Sequence, residues 1–107
     1  MPESEEFVSE ELKPVAGTFD AAAMSRGEAG LPRRFVWRNK EHVVVEVLRT
    51  WKSSGREGFS GEMYLRRHWF EIVTDSGFRM TIYCERQARS AQRAKSRWYV
   101  YTVAAAV

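Results

Sequence analysis

The amino-acid sequence predicts a small, mainly β fold of about five antiparallel strands, forming a small barrel or a strongly twisted sheet. Three observations carry that prediction. From Leu31 onward, apolar residues recur with period two, as in Arg34–Phe35–Val36–Trp37–Arg38 and Phe78 to Glu85, the mark of strands with one buried face. Turn formers separate these runs, and Asp75–Ser76–Gly77 is the strongest of them, suited to a hairpin with Gly77 left-handed. The same region carries 12 of the chain's 14 aromatic residues, which fit a pleated, half-buried surface.

Residues 1–30 have a different character. They hold seven acids and two bases, a net of −5, whereas residues 31–107 hold fifteen bases and seven acids, a net of +8. The division predicted is an acidic, partly disordered leader over 1–30 and a basic, aromatic-rich β domain over 31–107. Residues 1–13 lack hydrophobic periodicity, so disorder is expected there. Asp20 is placed to N-cap a short helix near 20–26 through Ala21–Ala22–Ala23–Met24, with Gly27 at its end and Phe19 and Met24 docking it.

The strands follow in order. Residues 34–38 put Phe35 and Trp37 on one face, and Asn39–Lys40 offers a two-residue turn. Residues 42–51 are valine-rich on both faces, which predicts a central or strongly bent strand. Lys52 to Glu62 is rich in Ser and Gly and reads as a loop. Residues 64–74 and 78–85 form a hairpin in which Phe78, Met80, Ile82 and Cys84 share one face, and Arg79, Thr81, Tyr83 and Glu85 the other. Arg86 to Arg97 carries five bases and no acid, with alanines at three-residue spacing that suit a short helix near 86–96 or a loop. Residues 98–103 close the series.

Length and composition bound the rest. A chain of 107 residues makes one domain. Four tryptophans, Trp37, Trp51, Trp69 and Trp98, are what so small a core would use. Cys84 is the single cysteine, so no internal disulfide forms, and a reducing, cytoplasmic setting is expected. No apolar run reaches the length of a bilayer span, and no membrane partner is expected.

The spaced arginines and aromatics form a recognisable pattern. Pro32 to Arg38, the valine-rich run ending in Trp51, Trp69 to Gly77, Ile82–Tyr83 and Arg97–Trp98–Tyr99 together resemble a small bacterial domain family of unknown function. A similar domain ends the ImuB-type relatives of Y-family DNA polymerases. The resemblance covers residues 31–103 and implies a β fold and a link to DNA repair or replication. It brings no catalytic residue. The chain departs from the pattern after Trp51, where Phe59 stands in place of further tryptophans, and in the longer, more basic stretch 86–97.

Chemistry-bearing residues are sparse. His42, His68 and Cys84 stand singly on three strands, without the short pairs that zinc sites use. No elbow surrounds a nucleophile, and Glu46, Glu62, Glu71 and Glu85 are isolated among arginines, where cross-strand ion pairing, such as Glu71 or Glu85 with Arg79, explains them. The glycines of 55–61 have no Lys-Ser/Thr sequel to cradle a phosphate. The expected function is therefore non-catalytic, without cofactor or metal: a protein-interaction or adaptor module. The alternative is weak binding of single-stranded DNA or RNA, in which cations hold phosphates and rings stack on bases. Arg66, Arg67, Arg79, Arg86, Arg89, Arg93, Lys95 and Arg97, with Tyr83 and Tyr99, are the candidate site for nucleic acid or an acidic partner. Tyr101 is placed to join them.

Overall fold

The computed structural model describes residues 5–26, 30–57, 63–87 and 96–105. Six strands and one short helix follow in the order β1 (Glu6–Pro14), α1 (Ala21–Ser25), β2 (Arg34–Trp37), β3 (Lys40–Glu57), β4 (Met63–Thr74), β5 (Phe78–Gln87) and β6 (Ser96–Ala105). Each strand pairs antiparallel with the next, and β1 pairs with β6, so the sheet closes on itself. The ring is uneven. β3 and β4 run paired from Val44↔Thr74 to Glu57↔Met63, whereas β1 and β2 meet only at Lys13↔Val36 and Pro14↔Phe35.

The sixth strand is β1, where the sequence predicts disorder. Its pattern is hidden by a bulge: Phe7 pairs with Thr102 and Glu10 with Val100, so Val8 and Ser9 together face Tyr101. Ser9 takes a positive φ of 51°, and the extra residue resets the alternation. Val8 thereby packs against the core and Leu12 enters it. Glu10 fastens the strand. Its carboxylate accepts from Trp37 Nε1 at 2.9 Å and from Arg38 Nε and Nη2 at 2.9 and 3.1 Å. Residues 6–14, three of them Glu, thus form part of the sheet.

The β2–β3 turn is Arg38–Asn39, one residue earlier than expected, with both at positive φ. That is the backbone a twisted two-residue hairpin requires. The loop expected from Lys52 is also displaced: β3 continues through Ser53, Ser54 and Gly55, paired with Arg67, Arg66 and Leu65. Cross-strand pairing there overrides weak local propensity. Gly77 is left-handed as expected, with φ 87°. Asp20 caps α1 by accepting from the Ala22 and Ala23 amides. Ala23 docks the helix, while Phe19 and Met24 stay exposed. The expected helix near 86–96 falls largely on residues 88–95, outside the described residues; 86 and 87 end β5.

The core lies inside the ring. Leu12, Phe35, Trp37, Phe70, Ile72, Met80, Ile82, Cys84, Trp98 and Val100 form one buried cluster. Full burial of each large side chain contributes about 1.5–3 kcal/mol. His42 is only 2 % exposed. Its Nδ1 lies 2.6 Å from Ser76 Oγ, which in turn meets Thr74 Oγ1 at 2.8 Å. The ring stacks on Phe35 at 5.5 Å. Burial lowers its pKa, which keeps the imidazole neutral near pH 7.

Candidate functional site

The outer face of the ring carries a band of aromatic side chains. Strand register builds it: Trp51 pairs with Trp69, Trp69 with Tyr83, and Tyr83 with Tyr99. These four residues lie side by side across β3, β4, β5 and β6, all on the face opposite Phe70, Ile82 and Trp98. Consecutive ring centroids are 5.8, 4.6 and 5.1 Å apart, and the two indoles are parallel within 1°.

A second irregularity widens the band. Thr81 pairs with Thr102 and Ile82 with Val100, so Tyr101 is an extra residue in β6. Its ring meets Trp69 edge-on at 5.1 Å and Phe7 of β1 at 5.0 Å. Edge-on and offset ring pairs are favourable by about 0.5–1.5 kcal/mol each, so the band is preorganised. Beside it lies a shallow hollow of about 290 Å³, lined by Trp51, Trp69 and Tyr101 with Glu5, Glu71 and Thr81 among its walls.

Arginines lie on the rings, and each of those beside the band has a carboxylate. Arg49 sits 4.5 Å above Trp51 and bonds Glu71 through Nε at 3.1 Å. Arg79 reaches the other Glu71 oxygen at 3.7 Å. Arg67 sits 5.2 Å from the Tyr83 ring and bonds Glu85 at 3.3 Å. Burial raises the Tyr83 pKa against the opposing pull of Arg67, so the phenol stays protonated and neutral. On the far side, β1 sets Glu11 against Tyr99. Close to the rings, Arg49, Arg67 and Arg79 are therefore each ion-paired.

Four of the predicted site residues, Arg67, Arg79, Tyr83 and Tyr99, come together here. Arg97 is exposed at the start of β6, opposite Glu85. Arg66 and Arg86 pair in register across β4 and β5, and their side chains lie outside the described set, as do Arg89, Arg93 and Lys95 altogether. The sequence reading missed Arg49, Phe7 and the two band tryptophans. It assigned all four tryptophans to the core, but only Trp37 and Trp98 are buried; Trp51 and Trp69 are half-buried on the outside. The signal was alternation: Trp69 and Phe70 are adjacent in one strand, so one of them must face out, and Glu71 marks the side.

The singly placed histidines and the thiol stay apart. His42 is engaged by Ser76, His68 Nε2 lies 2.8 Å from Thr50 Oγ1, and Cys84 is buried in the core as its neighbours predict. Among the described residues, no group of three His, Cys, Asp or Glu could hold a metal ion. Nor, among them, is any helix long and apolar enough to cross a membrane. The band is a surface of rings and paired charges.

Comparison with known proteins agrees on extent. A family model described as a domain of unknown function, DUF6504, matches residues 1–105. No curated protein and no solved structure matches the chain. The match begins at residue 1 and takes in β1, whose Leu12 and Glu10 complete the ring. With nearly its whole length matched, the chain belongs to the DUF6504 family.

Proposed function

We propose that the domain is a non-catalytic protein-interaction module whose contact surface is the outer aromatic band. The observation that carries this is the run Trp51–Trp69–Tyr83–Tyr99 with Tyr101 and Phe7, held on the outer face of the sheet by register and bulges, with Tyr83 buried between its neighbours. Tryptophan, tyrosine and arginine dominate protein-interface hot spots. Ion pairing favours a protein partner over a phosphate backbone, because Arg49 and Arg79 share Glu71 and Arg67 is paired with Glu85, which leaves only a small excess of positive charge there. The resemblance to ImuB-type domains supports a partner in DNA repair or replication, and a single, buried cysteine supports a cytoplasmic setting.

Single-stranded nucleic acid is the second reading. The neighbouring rings and the guanidiniums lying over Trp51 and Tyr83 favour it. One experiment separates the two. A displayed peptide library is selected on the full chain, with counter-selection on a Trp69→Ala/Tyr101→Ala variant whose fold is checked by circular dichroism. A labelled oligo-dT is titrated in parallel by anisotropy at several salt concentrations. Peptides retained by the wild type and lost on the variant support the proposal. Oligonucleotide binding that falls steeply with salt, without peptide enrichment, supports the second reading. Neither signal refutes both.

A further inference from the structure

We infer that the open edge of β3 at residues 45–50 pairs with the same edge of a second copy of this chain. Beyond Val44, whose amide bonds the Arg33 carbonyl at 2.8 Å, β3 pairs with β4 alone among the described residues. Its other side presents backbone donors and acceptors without a β partner among the described residues. Val45, Glu46, Val47, Leu48, Arg49 and Thr50 are all exposed, and the three apolar side chains among them are 58 %, 45 % and 44 % exposed. A β-rich segment without Pro or Gly on an open edge is a template for another strand.

Edges are ordinarily blunted with charge or with bulges that turn them away. Here two bulges do the reverse. Val45 is extra between Val44↔Thr74 and Glu46↔Val73, and Leu48 is extra between Val47↔Ile72 and Arg49↔Glu71. Each bulge adds an apolar residue to the exposed edge instead of a charge.

The segment is complementary to itself. An antiparallel pair centred between Val47 and Leu48 sets Glu46 of each copy against Arg49 of the other and Val47 against Leu48. Glu46 and Arg49 are both on the outer face, opposite Val73 and Glu71, so a two-fold axis normal to the sheet brings them together on one side. Glu46 has no ion pair among the described residues. Arg49 engages Glu71 through Nε, and its side chain is 69 % exposed, which leaves the terminal nitrogens for a second carboxylate. A groove of about 540 Å³ between Val44–Val47 and Phe19, Ala21 and Arg33 gives the end of the incoming strand room. The symmetry is that of an isologous dimer, and it sets two aromatic bands on the same side of one continuous sheet.

The test is sedimentation velocity on the full chain from about 10 to 500 µM, the range that an interface of modest size populates. The wild type is expected to move from monomer to dimer across it. Glu46→Arg and Arg49→Glu, each alone, are expected to weaken association about tenfold, because two symmetric attractive pairs become repulsive. Mixed together, the two variants are expected to associate again, since each supplies the charge the other lacks. Val47→Lys, at an exposed position, serves in place of Arg49→Glu if that chain does not fold, and is expected to remain monomeric. A wild type monomeric throughout, a dimer indifferent to all three substitutions, or folded reversal variants that fail to associate on mixing would each overturn the inference.

Discussion

Replacing Leu12 by Ala tests whether β1 is part of the domain's core. Leu12 is 2 % exposed, pairs with Trp98 across β6, and belongs to the same buried cluster. Its neighbours have little freedom to close over a void. Glu10, two residues earlier, is bonded to Trp37 and Arg38, and Lys13 and Pro14 are in register with β2. Leu→Ala in cores costs about 2–5 kcal/mol, and a site that cannot collapse belongs in the middle or upper part of that range, near 3 kcal/mol. For a domain of this size about 1 kcal/mol moves Tm by roughly 4–8 °C, so a fall of about 12–24 °C is expected. Phe7→Ala is the control. Phe7 is on the same strand but 65 % exposed, with an edge-on contact to Tyr101, and its loss should cost about 1 kcal/mol. Thermal melts by circular dichroism and urea titrations by tryptophan fluorescence read both variants. If Leu12→Ala melts within a few degrees of wild type, or no lower than Phe7→Ala, β1 does not complete the core and the ring closure is wrong.

Two further outcomes follow from the same geometry. Trp98→Ala, at a side chain 4 % exposed and stacked on Phe70, should cost about 3–5 kcal/mol in a denaturant titration, whereas Trp69→Ala on the outer face should cost clearly less; equal losses would erase the distinction between core and band. His42 makes stability pH-dependent: its folded pKa is lowered below 6.5 by burial, so the unfolded chain binds the proton first, and the contribution present above pH 6.5 is lost as pH falls toward the lowered value. His42→Phe, which keeps a ring against Phe35, should flatten the fall in Tm between neutral and mildly acid pH, and an unchanged slope would assign the effect to other groups.

How much of this was legible depends on whether alternation survives. Phe78, Met80, Ile82 and Cys84 alternate without interruption, and all face the core or pack against it. The hairpin turn at Gly77 and the Asp20 cap could be read because each rests on one residue's local chemistry. β1 could not, because the bulge at Val8–Ser9 shifts the phase between Phe7 and Leu12 and leaves no clean period. β3 reads as a central or strongly bent strand, valine-rich on both faces, yet its two bulges put Val45 and Leu48 outside any simple alternation. The site was half legible. Tyr83 and Tyr99 were found by parity, whereas Trp51 and Trp69 were assigned to the core because tryptophan is usually buried. Only the pairing of four strands in register shows that the four rings are neighbours.

Residues that make the chain look divided are the ones that tie it together. The contrast between an acidic first thirty residues and a basic remainder suggests a field aimed at an outside partner. Within the described structure much of it is spent at home. Glu10 clamps the β2–β3 turn, and the hydrogen bonds from Arg38 hold its carboxyl below the usual range; Glu71 and Glu85 take up Arg49, Arg79 and Arg67. Ion pairs this exposed add little stability individually, but they fix orientation, holding guanidiniums over Trp51 and Tyr83. What the band offers is therefore less a charge than a shaped apolar surface whose neighbouring arginines are ion-paired. Such a surface gains by expelling water from its rings and loses little by desolvating paired arginines, which is why we propose the aromatic band, more than the net charge, as the contact surface.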